Sequence, residues 1–525
     1  MRRTAPSPHV RTAASVFVQR SLGQLFDAGT FDPLEGKPYA HISFEAISSE
    51  ASKALALDAS RQALVLLKNR PPSSPPDFPP AQPLAKTAKV LLVGPHAPTT
   101  QDLGGNYFED ICPKFGLGKD GCTPSVATSL EKIMAAGGGA KPTVVPGCPD
   151  TNCAKSSFPL AKAAAEKAEA VVLALRLVGR QKFFANTDAS ARYEAELAAA
   201  GAAAFGSSGA NTDGTEGEGH DRTLITLPDG QLALLEAVLS PVAPSAKVVV
   251  VLFNGGGLAI EKLMADDRIH AVVEAFYPGR AGAAALAETL FGESSRFSKM
   301  PCTLLRAEFC AESAMKDMGM TDGVGRGYRY YKGKATIVPF GFGLSYISFS
   351  LRWSGGAAAA AAAARPMVAQ LSAATQAALT ARRPPPQTLK GSAQVLATVS
   401  CVVTNTGKVH GDEVVFLPQR QRRRRRLVSE CIREECARAA GPARQKQLIG
   451  FERVRLAAGA STTVHFKVSA RSLSTVAADG ARQLLMGEHG LILSRGHREV
   501  LRRTVEVRGA VGGRLVLEAA TASSE

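Results

Sequence analysis

Within seven residues, Glu216-Gly217-Glu218-Gly219-His220-Asp221-Arg222, the chain gathers two carboxylates, an imidazole and an Asp-Arg pair. A carboxyl group held in a partly dry site can give a proton to a leaving oxygen and later take one from water. The glycines let the backbone turn where a side chain would clash, so that a carboxylate can point into a cleft. Arg222 can pair with Asp221 or hold a substrate oxygen in its planar fork. The same spacing also fits an exposed acidic loop ahead of a helix. Leu224-Ile225-Thr226-Leu227-Pro228 and an apolar-periodic run over 231–239 follow it directly. The surrounding elements must decide.

At 525 residues, 45% hydrophobic and 21% charged, the chain is long enough for several globular domains with sizeable cores. It contains no apolar run of membrane-spanning length, so no membrane partner is expected. The basic segment 1–11 lacks the apolar stretch of a secretory signal. The net charge of +16 would suit nucleic acid, but its densest block is the five arginines 422–426, followed by Arg433, Arg438 and Arg444. No aromatic side chains are interleaved there for base stacking, so a solvated insertion is expected and no nucleic-acid partner. Of nine cysteines, Cys148 and Cys153 are spaced for a short-loop disulfide as well as for a metal. No second pair with histidines follows at zinc spacing, so neither metal nor cofactor is expected. A disulfide would imply an oxidising compartment, and the odd count leaves a thiol free or paired between chains.

The elements that would position the acidic stretch follow from periodicity. A helix is expected over 10–30, with Ala14, Phe17, Val18, Leu22, Leu25 and Phe26 on one face, and a second over 48–68. A Pro-rich spacer covers 71–83. From Lys89 short apolar runs alternate with helical patterns: strands at 90–93, 170–175, 247–253 and 270–276, helices at 126–136, 160–168, 231–239, 259–264 and 282–291. That alternation predicts a parallel sheet covered on both faces, with ligands at the C-terminal strand ends. The stretch 216–222 follows such a strand after an Ala/Gly/Ser-rich insertion, 178–214. Residues 355–390, with eight consecutive alanines, read as a linker. Beyond them, short β-branched runs broken by Gly and Asn turns predict a β-sandwich.

Taken together the motifs resemble family 3 glycoside hydrolases. The resemblance rests on Phe31-Asp32-Pro33, the run 60–69, Val93-Gly94-Pro95, Gly105-Asn106-Tyr107, the stretch 216–222, Asn254-Gly255-Gly256, Tyr277-Pro278-Gly279, and the runs 325–331 and 339–346. Residues 403–407, 411–415 and 448–454 are similar to the fibronectin type III-like domain that closes such enzymes. The implied fold class is α/β: a three-layer αβα sandwich with a mostly parallel sheet, then a fibronectin type III-like β-sandwich. The expected divisions are a barrel-end remnant (1–70), the spacer (71–88), the αβα sandwich (89–352), a linker (353–392), the β-sandwich (393–510, with an Arg-rich insertion at 418–446) and a tail (511–525).

The resemblance implies a retaining glycosidase acting on an oligosaccharide, with the Asp nucleophile on an N-terminal (β/α)8 barrel. Nearly all of that barrel is expected to lie outside this sequence, so a barrel-bearing partner is an open possibility. Glu218 is the implied acid/base, with Glu216 the runner-up. Asn106, Tyr107 and Arg222 are the implied substrate contacts. Asn106 and Tyr107 equally fit a tight turn with the ring packed below it, whereas His220 fits a structural histidine better than a catalyst, and Asp221 and Arg222 fit braces of the loop best. The Asn106-Tyr107 and Cys148…Cys153 pairs favour the β-xylosidase branch over the β-glucosidase branch. An extracellular or cell-wall location follows by resemblance. The alternative is a non-catalytic carbohydrate-binding or scaffolding protein.

Overall fold

The structure is a computed structural model describing residues 8–37, 39–43, 46, 49–73, 83–98, 101–105, 124–148, 153, 158–176, 222, 224–314, 317–363, 365–370, 395–421, 445–476, 482–496, 500–508 and 514–518. The chain divides into two compact units, Met1–Ala56 and Leu57–Glu525.

The first unit is led by helix α1 (Pro8–Asp27). It stops where a residue without a Cβ is needed. Gly29 takes φ +66°, its N–H donates to the Phe26 carbonyl (2.9 Å), and the Thr30 N–H donates to the Leu25 carbonyl (2.8 Å). The apolar face expected for this helix is present but uncovered: Phe17 is 72% exposed and Phe26 63%. No residue of this unit whose side chain is described is buried. Helix α2 (Glu50–Arg61) starts behind Ser49, whose hydroxyl accepts from the Ser52 N–H, and runs across the unit boundary.

The second helix was expected to reach residue 68, and here the structure differs. Residues after Arg61 turn into strand β1 (Val65–Lys68). Leu64, Val65, Leu66 and Leu67 are all buried, with Val65 and Leu67 in one core and Leu64 and Leu66 in another. A helix would bury only a stripe of them, whereas a strand between two layers buries every residue.

The αβα layers then follow in order: β2 (Val90–Val93), α3 (Val126–Ala136), β3 (Thr143–Val145), α4 (Phe158–Ala165), β4 (Ala170–Arg176), α5 (Asp229–Leu239), β5 (Lys247–Phe253), α6 (Glu261–Ala265), β6 (Ala271–Glu274) and α7 (Gly282–Leu290). The sheet order is β1-β6-β5-β4-β2-β3, parallel except for β1, which runs antiparallel to β6. Val171, Leu173, Val248, Val250 and Leu252 face Ala161 of α4 and Leu234 of α5 in one core. Val172, Ala174, Val249, Val251 and Phe253 face Leu130 of α3 and Leu286 of α7 in the other. The short pair β7 (Leu304–Leu305) and β8 (Thr336–Val338) adds an antiparallel ribbon.

The β-sandwich begins earlier than the sequence suggested. Strand β9 (Phe349–Trp353), straddling the expected boundary, joins β11 (Val395–Asn405) and β14 (Ser461–Ser469) in one sheet. The expected linker contributes a helix, Gly356–Ala362, as alanine's propensity favours, and strand β10 (Met367–Gln370). The second sheet has the order β10-β18-β17-β12-β13, with β12 (Gly411–Gln421), β13 (Gln447–Leu456), β17 (Gly487–Ser494) and β18 (Val500–Arg508). The expected tail supplies β19 (Arg514–Glu518), paired with β16 (Arg482–Leu485), which also pairs with β15 (Thr475–Val476). Pro418 to Gln421 belong to β12 rather than to an insertion, and the five arginines 422–426 and the insertion 178–214 lie outside the described residues.

Charged side chains fill the seam between the αβα layers and the β-sandwich. Lys299 Nζ lies 2.9 Å from Glu413, Arg495 lies 3.1 Å from Glu413, and Arg296 lies 2.9 Å from Asp412. Glu413 and Lys299 are both buried, so each ion has its partner in place of water. Burial presses the Lys299 ammonium below its ordinary value, against the pull of Glu413. Among the described residues no helix is long and apolar enough to cross a membrane.

Candidate functional site

The sheet reverses its winding between β2 and β4: β3 lies outside β2, and β4, β5 and β6 follow on the other side. In open α/β sheets ligands sit at such a switch point, beyond the carboxyl ends of the strands. The two strands close up there. Gly94 takes φ +124°, and a Cβ on it would run into the carbonyl oxygen of Ala174 in β4. His96 follows, fully buried and stacked on Phe253 at 4.0 Å between ring centroids.

The stretch 216–222 belongs to the connection that leaves β4 at Arg176 and returns at α5. Glu216, Glu218, His220 and Asp221 lie outside the described residues, as do Asn106 and Tyr107. Arg222 is described and half-buried, and its Nη2 donates to the carbonyl of Gly257 at 3.2 Å. Three residues on, the carbonyl of Ile225 accepts from the Ala259 N–H at 2.7 Å. The end of the acidic stretch is thus fastened to the loop after β5, at the C-terminal edge of the sheet. Asn254 opens that loop, with no exposed surface and its Nδ2 donating to the Gly256 carbonyl at 2.8 Å.

Cys148 and Cys153 form a disulfide with their Cα atoms 4.5 Å apart. Both are buried in the core shared with α4 and α5, just past β3. Of the two readings of that pair, the structure adopts the covalent one. Among the described residues no cluster of three or more His, Cys, Asp or Glu could hold a metal.

Sequence reasoning missed two features of the same edge. Glu274, the last residue of β6, has no exposed surface, and its Oε1 accepts the Phe276 N–H at 3.1 Å. Phe276 takes φ +52°, a left-handed conformation unusual for a side chain of that size. The nearby Cys302 thiol is pushed up to about 11, by burial first and then by the charge of Glu274. A carboxylate at the end of an otherwise apolar strand is visible in sequence. Its complete burial depends on neighbouring strands and is not.

The chain matches the family model of the glycosyl hydrolase family 3 C-terminal domain over residues 64–346 and that of the fibronectin type III-like domain over 436–495. A protein of Neosartorya fischeri named probable exo-1,4-beta-xylosidase is 27% identical over 494 residues, covering 93% of this chain and 52% of that protein. Beta-D-xylosidase 1 of Arabidopsis thaliana is 29% identical over 484 residues, covering 88% and 51%. The chain therefore spans about half the length of the curated relatives it matches. Among solved structures, a GH3 exo-beta-xylosidase bound to a xylobiose aziridine probe superposes with TM-score 0.67 at 23% identity, over 95% of this chain and 53% of its own. A beta-glucosidase from Listeria innocua bound to glucose gives 0.62 at 21%, over 94% and 54%. These two share its fold.

Proposed function

The chain belongs to glycosyl hydrolase family 3, and from that premise we propose that it supplies the acid/base half of a retaining β-glycosidase site acting on terminal β-linked xylose, with glucose the alternative sugar. Glu218 is the acid/base and Glu216 the second choice. The observation that carries this reading is the bond from Arg222 to Gly257, which ties the end of the acidic stretch to the C-terminal edge of the sheet, where sheets of this kind take their ligands. On this reading Arg222 braces the loop and Asn106 and Tyr107 line the cleft.

Retaining hydrolysis needs a second carboxylate about 5–5.5 Å from the first. In this family it is an Asp on the (β/α)8 barrel, which the proposal assigns to the half of the relatives' length that this chain does not span. The Asp attacks the anomeric carbon while Glu218 protonates the departing glycosidic oxygen. The Glu218 carboxylate then takes a proton from the water that releases the sugar from its ester to Asp. The uncovered apolar face of α1 suits a surface on that barrel. The buried disulfide supports an oxidising, extracellular or cell-wall setting.

The test is leaving-group dependence in the barrel-bearing protein. Glu218→Gln should slow hydrolysis of alkyl xylosides by roughly 100-fold or more, while dinitrophenyl xyloside, whose leaving group needs no proton, loses far less. Equal loss on both substrates removes Glu218 from the acid role.

A further inference from the structure

Three observations converge on the turn after β6. Glu274 is a carboxylate with no exposed surface at the end of a strand that is otherwise Ala271, Val272 and Val273. Burying a carboxylate costs free energy that an apolar residue at the same place would not, so what its oxygens hold matters. Oε1 holds the N–H of Phe276 at 3.1 Å, and Phe276 sits at φ +52°, a conformation that persists only when its surroundings enforce it.

The turn then delivers Tyr277 and Gly279 to the loop that follows β2. Gly105 takes φ +70°, and a Cβ there would lie 2.6 Å from Cδ2 of Tyr277, so the ring lies flush against bare backbone. The Gly279 N–H donates to the Leu103 carbonyl at 2.8 Å, and the Ser60 hydroxyl donates to the Pro278 carbonyl at 2.9 Å. In the sheet β2 and β6 are separated by β4 and β5, so this contact links loops from two non-adjacent strands at the edge that carries the Arg222 anchor.

We propose that Glu274 is a positioning residue for sugar binding: its carboxylate locks the left-handed turn at Phe276, and the turn sets Tyr277 as the shelf against which the Leu103–Gly105 segment is laid. The proposal rests on the glycosidase reading above. It adds that the β6 turn, and not only the acidic loop, determines how well a β-xyloside is held. Gln at 274 keeps an oxygen acceptor for the Phe276 N–H; Ala removes it. A methyl group at 105 breaks the same contact from the other side.

The experiment titrates xylobiose by calorimetry into the chain combined with the barrel half of a family 3 β-xylosidase, for wild type, Glu274→Gln, Glu274→Ala and Gly105→Ala, with hydrogen exchange followed at the amides of Phe276, Gly279 and β5. Glu274→Ala and Gly105→Ala should weaken binding by roughly tenfold or more, and Glu274→Gln by no more than about twofold. In Glu274→Ala the Phe276 and Gly279 amides should exchange faster while β5 stays protected, which global unfolding would not give. If Glu274→Ala fails to fold, Gly105→Ala and Glu274→Gln carry the test. Wild-type affinity in Glu274→Ala or Gly105→Ala, or loss in Glu274→Gln as large as in Glu274→Ala, overturns the proposal. Wild-type protein that binds no xylobiose overturns the underlying sugar-binding reading instead, and the proposal with it.

Discussion

Phe17 and Phe26 on α1 are mostly exposed, whereas Phe253 on β5 and Leu66 on β1 have no accessible surface. Both regions carry ordinary apolar patterning, so the difference lies in what stands opposite. In 57–525 each apolar face of the sheet meets helices, and the β-sandwich closes on its own core. In 1–56 no described residue with a described side chain is buried, and the apolar side of α1 is left facing outward. Amphipathic sequence specifies a helix and a face, but not the surface that covers the face. On the functional reading above, the barrel of family 3 covers it.

The contrast can be broken most severely inside the second unit. Phe253→Ala removes a fully buried ring on which His96 stacks and should cost about 4 kcal/mol in denaturant unfolding. Phe17→Ala, by contrast, should change the stability of this chain by no more than about 0.5 kcal/mol. At the seam, Glu413→Ala strands Lys299 and Arg495 without their carboxylate and should cost about 3 kcal/mol by the same measurement. Replacing Lys299 and Glu413 together by Met and Leu should recover only the share due to Lys299, because Arg495 still lacks the Glu413 carboxylate. Reduction of the Cys148–Cys153 disulfide, which closes only a short loop, should cost about 2 kcal/mol, read as a lower melting temperature in the presence of reductant.

The smallest effect is a pH dependence. His489 is buried in the β-sandwich, with Nε2 2.8 Å from the Leu485 carbonyl and Nδ1 3.1 Å from Gln419 Nε2. Burial lowers its value, so the fold holds it neutral while the unfolded chain protonates near the ordinary value of about 6.5. Its folded value lies below its unfolded one, so stability is fully present above about pH 6.5 and is lost as pH falls from there through the folded value. Unfolding midpoints measured from pH 7.5 down to 5 should fall more for wild type than for His489→Gln.

The features legible in sequence were those set by local runs. The run 90–93 is apolar throughout and closed by Gly94-Pro95, and it forms β2 with all four residues buried. Gly29 marks the end of α1 because only its own backbone had to turn. What escaped the sequence depends on partners far along the chain. Val65–Lys68 is a strand because Ala271–Glu274 lies beside it, and Met367–Gln370 because Val505–Arg508 does. A short apolar run cannot by itself be told from part of a helix. At the candidate site, the sequence shows the residue types at 216–222, but it does not show the fastening of Arg222 to a backbone carbonyl at 257. Nor does it show the left-handed turn at Phe276, since phenylalanine gives no hint of it.

The central claim is that this chain holds the acid/base half of a two-part site. Its most direct test offers nitrophenyl β-xyloside to the chain of residues 1–525, first alone and then with the separately produced barrel half of a family 3 β-xylosidase. The expected result is no nitrophenol from the chain alone, release when both halves are present, and loss of that release on Glu218→Ala. Steady turnover by the chain alone that survives Glu218→Ala would contradict it.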